Sequence, residues 1–170
     1  SLFEFEAVGQ RAVVAQFDGG TITSNAGALL LRQVDGGLGL IRRFAQCFTD
    51  RRDPRFVEHR VETLVGQRVF GLVLGYEDLN DHDEIRHDPL MGVLAGKLAA
   101  RRADCAAVAG KSTLNRLELS RLKSTRYHKI SHNPMAIRHL FVDMFLEAHG
   151  SAPHQIILDL DATDDPVHGE

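Results

Sequence analysis

The first residues of the chain alternate between apolar and polar. Phe3 and Phe5 fall on one face, then Val13, Ala15 and Phe17, with Gly9 between the two runs. A period of two predicts one or two short strands. Asp18-Gly19-Gly20 reads as the turn that ends them. Ser24 is placed to cap a helix through Ala28, Leu29, Leu30 and Leu31, and Asp35-Gly36-Gly37 is expected to stop it. A second short helix is expected over residues 38–48. Asp53-Pro54 is a helix start, a capping carboxylate followed by proline at the first helical position. Val57, Val61, Leu64, Val65, Arg68 and Leu72 then follow at helical spacing, which predicts one long helix to about Gly75.

Residues 77–88 hold six acids and Arg86, and read as a solvated turn or short helix. Asp88-Pro89 starts another helix, expected to run through Leu90, Val93, Leu94 and Leu98. Ser112 or Thr113 is placed to cap one through Leu114, Leu117 and Leu119. Asn133-Pro134 starts a last helix, with Ile137, Leu140, Phe141, Met144 and Phe145 on one face, closed by Gly150 and Pro153. The texture then changes. Gln155-Ile156-Ile157-Leu158 is a continuous apolar run ending in Asp159-Leu160-Asp161, which predicts a buried strand. The fold expected from the residues is mainly α, with short N-terminal strands and a strand at the far end.

Composition narrows the function classes. The chain has 170 residues, 44% hydrophobic and 25% charged, which suits one globular domain with a core. Aromatics are 6% with no Trp, so that core must be mostly aliphatic. The formal net charge of −3 excludes a uniformly basic nucleic-acid coat. Cys47 and Cys105 stand far apart without CxxC spacing, which excludes a disulfide framework and a Cys-rich zinc site and points to a reducing compartment. No apolar stretch is long enough to span a bilayer, and no signal peptide is legible. The chain begins at Ser1 rather than Met, which suggests a clipped or partial protein. Charge is uneven. Residues 97–129 hold nine Lys or Arg against Asp104 and Glu118, a net of +7, while the last twelve residues hold five acids and no Lys or Arg. A basic middle and an acidic tip suit a protein that grips phosphates in one place and a cation in another, although a charge run alone is more often a solvated face.

Three patterns carry candidate chemistry. Ala109-Gly110-Lys111-Ser112-Thr113 has the end of a phosphate-binding loop, but Cys105 stands where its first glycine must be. Without that glycine the backbone cannot wrap phosphates, so the stretch is read as a helix N-terminus. His128 and His132 are four apart, yet no acid completes a metal set. His59, His82 and His87 lie in polar stretches and are read as exposed. The third pattern is the informative one. On a strand Asp159 and Asp161 share a face, and two carboxylates there call for a divalent cation such as Mg²⁺. Two families place acids so. Haloacid-dehalogenase-like phosphatases carry D-x-D-x-T, which Asp159, Asp161 and Thr163 match; RNase H-like DDE transposases carry their first catalytic acid on the first strand.

The whole chain resembles the N-terminal part of bacterial insertion-sequence transposases with a group-1 DDE domain. The likeness rests on Phe17-Asp18-Gly19-Gly20-Thr21-Ile22-Thr23-Ser24 with Ala26-Gly27-Ala28-Leu29-Leu30-Leu31; on Phe48-Thr49-Asp50 with Arg52-Asp53-Pro54; on Gln67-Arg68-Val69-Phe70-Gly71 leading to Gly75-Tyr76-Glu77-Asp78-Leu79-Asn80-Asp81-His82; on Ser112-Thr113-Leu114-Asn115-Arg116-Leu117-Glu118; and on residues 159–169. Five segments in order outweigh the short phosphatase match. The resemblance implies a mostly helical region over residues 1–150, for DNA binding or assembly, and the start of an RNase H-like catalytic domain over 154–170. It implies metal-dependent DNA strand cleavage and transfer with Mg²⁺ or Mn²⁺, transposon-end and target DNA as partners, a homo-oligomer in the complete enzyme, and a bacterial cytoplasm, nucleoid-associated.

Asp161 precedes Ala-Thr as the family's first acid does, and is assigned as the first acid of the triad. Asp159 is second in line and Asp164 a weaker metal ligand. Lys111, Arg116, Arg121, Lys123 and Arg126 are the expected DNA contacts, with the Arg51–Arg60 cluster as the fallback. In the family the second Asp and final Glu lie further downstream, so the chain is expected to be inactive alone. A truncated DNA-binding or regulatory module is the alternative reading, and a Mg²⁺-dependent phosphatase a third.

Overall fold

The computed structural model describes residues 2–8, 11–16, 19–20 and 22–158, with side chains from residue 19 onward. Two strands, β1 (Leu2–Val8) and β2 (Arg11–Gln16), form an antiparallel hairpin in which Phe3 pairs with Ala15 and Phe5 with Val13. Its register shifts between Phe5 and Val8. This agrees with the alternation read in the sequence.

Helix α1 (Ala28–Leu38) passes straight through Gly36-Gly37, and Ser24 does not cap it. The stop is Gly39, at φ 66°, whose N–H bonds the Asp35 carbonyl. A left-handed residue is what ends a helix, and a glycine with helical dihedrals does not. Asp35 then turns its carboxylate to the Ile41 N–H and so begins α2 (Leu40–Ala45), shorter than the expected 38–48.

The long helix expected from Asp53 is broken. Asp53 does cap a turn, but it is one 3-10 turn, Pro54–Phe56, after which Val57 is extended. Helix α3 starts only at Val61 (Val61–Val73). The cause is competition for carbonyls. Those of Val57, Glu58 and His59 accept from the side chains of Arg101, Lys97 and Arg52 respectively, and are lost to an intrahelical ladder.

Helix α3 is the spine of the core. Residues Thr63, Leu64, Val65, Gly66, Gln67, Phe70 and Gly71 are buried on it. Around it pack α2, α5 (Pro89–Leu94) and α6 (Lys111–Glu118). Ile41, Leu64, Phe70, Leu90, Met91, Leu94, Leu114 and Leu117 supply most of the apolar contact. Each such side chain contributes about 1.5–3 kcal/mol on full burial. The segment between α3 and α5 holds a 3-10 turn, Leu79–Asp81, and α4 (His82–Ile85). Helix α5 ends at Leu94, four residues before Leu98, and the chain turns away at Gly96 with φ 70° and a Lys97 N–H to Gly92 carbonyl bond. Arg32 of α1 donates to the carbonyls of Val93 and Leu94 at the end of α5.

Two short strands not expected from the sequence, β3 (Phe48–Asp50) and β4 (Ile130–His132), pair antiparallel with Thr49 opposite Ser131. Three residues are too few to show a period. Helix α7 (Pro134–Glu147) starts as expected, with the Asn133 side chain accepting from Met135 and Ala136 N–H. Only Leu140 of it is buried. Phe141 meets Phe44 of α2 edge-on at 6.3 Å, and Arg43 grips Glu147 through two bonds.

The expected strand at residues 155–158 is not formed. Ile156, Ile157 and Leu158 are irregular and exposed. A strand needs a neighbour for its ladder, and none of the described strands lies against it. The mainly α architecture is as expected.

Candidate nucleic-acid interface

Helix α6 is placed by side chains of other elements. Gln67 of α3 bonds both backbone polar atoms of Ala109, just before the helix. Arg68, the next residue, pairs with Glu118 at the other end of α6. It also donates to the Tyr76 and Glu77 carbonyls at 3.0 and 2.7 Å. The N-terminus of α6 is closed by Asp83, whose Oδ1 accepts from the Lys111 N–H at 3.0 Å. The N-cap residue is Gly110, not Ser112 or Thr113. A Cβ at Gly110 would lie 2.6 Å from Arg86 Nη1 and 2.8 Å from Asp83 Oδ1, so glycine lets these charged groups approach the backbone. A helix start already filled by a carboxylate has no place for a phosphate, which agrees with rejecting a phosphate-binding loop.

Beside α6 run two adjoining cavities of about 420 and 450 Å³ that share Arg52, Thr113 and Arg116. The first adds Tyr127, His128 and Lys129; the second adds Arg86, Arg102 and His59, with Glu58 and Asp104. Both acids are answered: Glu58 by Lys97, Asp104 by Arg102 at 3.3 Å. Arg52 is held by Asp50 at 2.7 Å. Among the described residues Arg86, Arg116 and Lys129 form no ion pair. The Nε of Arg86 and the Nδ1 of His128 are buried without a hydrogen-bond partner. The β3–β4 ladder, prolonged by the Arg51 N–H to Lys129 carbonyl bond, brings Arg52 and Lys129 to this trench.

Burial and charge set the titrating groups here. His59 and His82 are buried, not exposed as their polar surroundings suggested; His87 is exposed. Burial, then the Lys97 ammonium, pushes His59 down to about 4. Burial, then the Arg68 cation, lowers His82. The Lys97 ion pair holds Glu58 down to about 2.

The expected DNA contacts divide. Lys111 is tied to Asn80 at 3.0 Å and to Asp83 at 3.5 Å. Arg116 lies in the trench. Arg121, Lys123 and Arg126 are exposed on the following loop, outside both cavities, with Arg126 over the Tyr127 ring at 5.9 Å. Lys97, counted in the basic stretch, is consumed by Glu58. Arg86 was hidden from sequence reasoning by its six acidic neighbours. Asp159, Asp161 and Asp164 lie outside the described residues. Among the described residues no three His, Cys, Asp or Glu side chains gather as a metal site, and no helix is long and apolar enough to cross a membrane.

The family model described as transposase DDE domain group 1 matches residues 5–170. The chain belongs to this DDE transposase family. No curated protein and no solved structure matched it. Segments that carry the resemblance in this DDE transposase chain meet in space: Gln67, Arg68, Gly71, Tyr76, His82 and Glu118 form one cluster that seats α6. Thr23, from the first such segment, bonds Asp88 at 2.7 Å, and Asn25 beside it bonds the Tyr76 hydroxyl at 2.9 Å. These residues brace the fold, and the cations beside them face the trench.

Proposed function

We propose that this chain acts as the N-terminal part of a metal-dependent DNA transposase, its helical region engaging DNA and its last residues opening an RNase H-like catalytic domain. The observation that carries this is the family match over residues 5–170, which takes in the acidic segment from Asp159 to Asp165. Asp161 is the first acid of the triad, Asp159 the second candidate and Asp164 a further ligand. Their carboxylate oxygens are the donors that Mg²⁺ or Mn²⁺ prefers. With the further acids of the complete enzyme, these carboxylates would hold two divalent ions, which would supply activation of a water or 3′-hydroxyl on one side and stabilisation of the leaving oxygen on the other. Lys111, Arg116, Arg121, Lys123 and Arg126 contribute to holding DNA phosphates. The complete enzyme works as a homo-oligomer at the bacterial nucleoid.

The test is Asp161→Ala in the complete transposase. Strand cleavage is expected to be abolished, with DNA affinity within about twofold of the parent, because phosphate contacts lie elsewhere. Normal cleavage by that variant moves the first acid to Asp159. The 170-residue chain alone is expected to show no nuclease or strand-transfer turnover with Mg²⁺ or Mn²⁺, since a two-metal site needs carboxylates from several strands. Phosphoester turnover by this chain, lost in Asp159→Asn, would establish the phosphatase instead. A DNA-binding or regulatory role for the chain alone is the second reading. It is favoured by a helical region with its own apolar core and a cationic trench.

A further inference from the structure

We infer that the trench beside α6 is a seat for the phosphodiester backbone of DNA, with Arg116, Lys129 and Arg86 as its cations. The inference rests on the transposase reading above and narrows it from a basic stretch to one surface.

Three observations converge. The cations come from separate parts of the chain: Arg86 after α4, Arg116 on α6, Lys129 before β4. The fold gathers them along two adjoining cavities rather than around one. A row of cations in a trench suits successive phosphates, whereas a single small anion needs one closed nest. Next, both acids lining the trench are already paired within the protein, and among the described residues Arg86, Arg116 and Lys129 form no ion pair of their own. Last, two trench residues hold buried nitrogens with no partner, Arg86 Nε and His128 Nδ1. Unsatisfied buried nitrogens are costly, and a shift of these two side chains toward a bound phosphodiester would bring them to its oxygens. The exposed Tyr127 ring at one end offers a flat face to a deoxyribose or a base.

This placement departs from a reading by sequence charge alone. Lys97 and Lys111 belong to the basic stretch yet are held by Glu58 and Asp83. Arg86 lies in an acidic stretch yet lines the trench.

The test is the salt dependence of binding between the 170-residue chain and a short fluorescent duplex, read by anisotropy. Arg116→Gln with Lys129→Gln is the main variant. Both side chains are exposed, so their removal leaves the core intact. It is expected to reduce the slope of log K against log salt by about 2, close to one unit for each phosphate no longer neutralised. Arg86→Gln, checked by circular dichroism, is expected to reduce the slope by about one more unit. The loop variant Arg121→Gln, Lys123→Gln, Arg126→Gln is expected to flatten the slope less than the trench double. Arg138→Gln on α7 is the control, with an unchanged slope. A full slope in the trench double, together with a flattened one in the loop variant, overturns the trench and leaves DNA binding by this region standing. Absence of any binding by the parent chain at low salt overturns both the trench and the DNA-binding role given to this region.

Discussion

Gln67 holds Ala109 by both of its backbone polar atoms. Gln67 Oε1 accepts from the Ala109 N–H at 2.8 Å, and Gln67 Nε2 donates to the Ala109 carbonyl at 2.7 Å. The second Nε2 hydrogen reaches His82 Nδ1 at 3.1 Å, which leaves the ring proton on Nε2. All three residues are fully buried. One amide on α3 therefore fixes the entry to α6, and with it the positions of Thr113 and Arg116.

Replacing Gln67 by methionine keeps the volume and removes every one of these bonds. A buried N–H, a buried carbonyl and an imidazole nitrogen lose their partner together. The expected loss is about 2–4 kcal/mol of folding stability, read from urea denaturation. A loss below about 1 kcal/mol would mean that water or a backbone shift replaces the amide.

Glycines in two helices should respond oppositely to alanine. At Gly71 a Cβ would lie 2.8 Å from His82 Cε1, a buried ring tethered by Gln67. Helix propensity favours alanine by about 1 kcal/mol, but overpacking costs about 1–3 kcal/mol, so Gly71→Ala should destabilise. At Gly36, in α1, nothing stands within 4 Å of the Cβ position. Gly36→Ala should stabilise by about 0.5–1 kcal/mol. Thermal melts of the two variants shifting in the same direction would contradict this.

Stability should fall as the solution is acidified, in two windows. His59 is pushed down to about 4 from 6.5, so between those values the unfolded chain binds the proton that the folded chain refuses. Stability therefore rises with pH across that window and is complete above it. Glu58 is held down to about 2 from 4.5, so its contribution is present above 4.5 and lost as pH falls toward 2. Denaturation midpoints at about pH 7.5, 5 and 3.5 would trace both. In His59→Asn the decline between 6.5 and 4 should become shallower, while the lower window remains. An unaltered decline would assign the upper window to His82.

Helix α7 is anchored at few points. Leu140 is buried, whereas Leu146 is 59% exposed. Leu140→Ala should cost about 2–4 kcal/mol and Leu146→Ala less than about 0.5 kcal/mol, by chemical denaturation. Equal losses would mean that another surface covers the outer face of α7.

Helix starts were legible where one side chain makes the signal locally. Asn133 caps α7 and Asp88 caps α5 through bonds to N–H groups two or three residues on, as their order with proline implies. Helix stops were not legible in the same way. Gly36 and Gly37 have the residue type that ends a helix, yet the left-handed dihedral falls at Gly39. Pattern also misjudged His82, which lies among acids and is buried because the Gln67 amide and the space at Gly71 receive its ring.

The sequence by itself determined the mainly helical class, the short N-terminal strands and the family, because these rest on periodicity, local caps and the order of short segments; that the two strands pair as a hairpin came from the structure. It also placed acids at Asp159, Asp161 and Asp164, where the family resemblance looks for a metal ligand. Only the tertiary structure decided which cations are left without an ion-pair partner among the described residues. Lys97 and Lys111 look equivalent to Arg116 along the chain. Glu58 and Asp83, brought from distant segments, hold the first two and leave Arg116 in the trench. The physical reason is that charge pairing is decided over a few ångströms in space. A net charge summed along the chain carries no record of that distance.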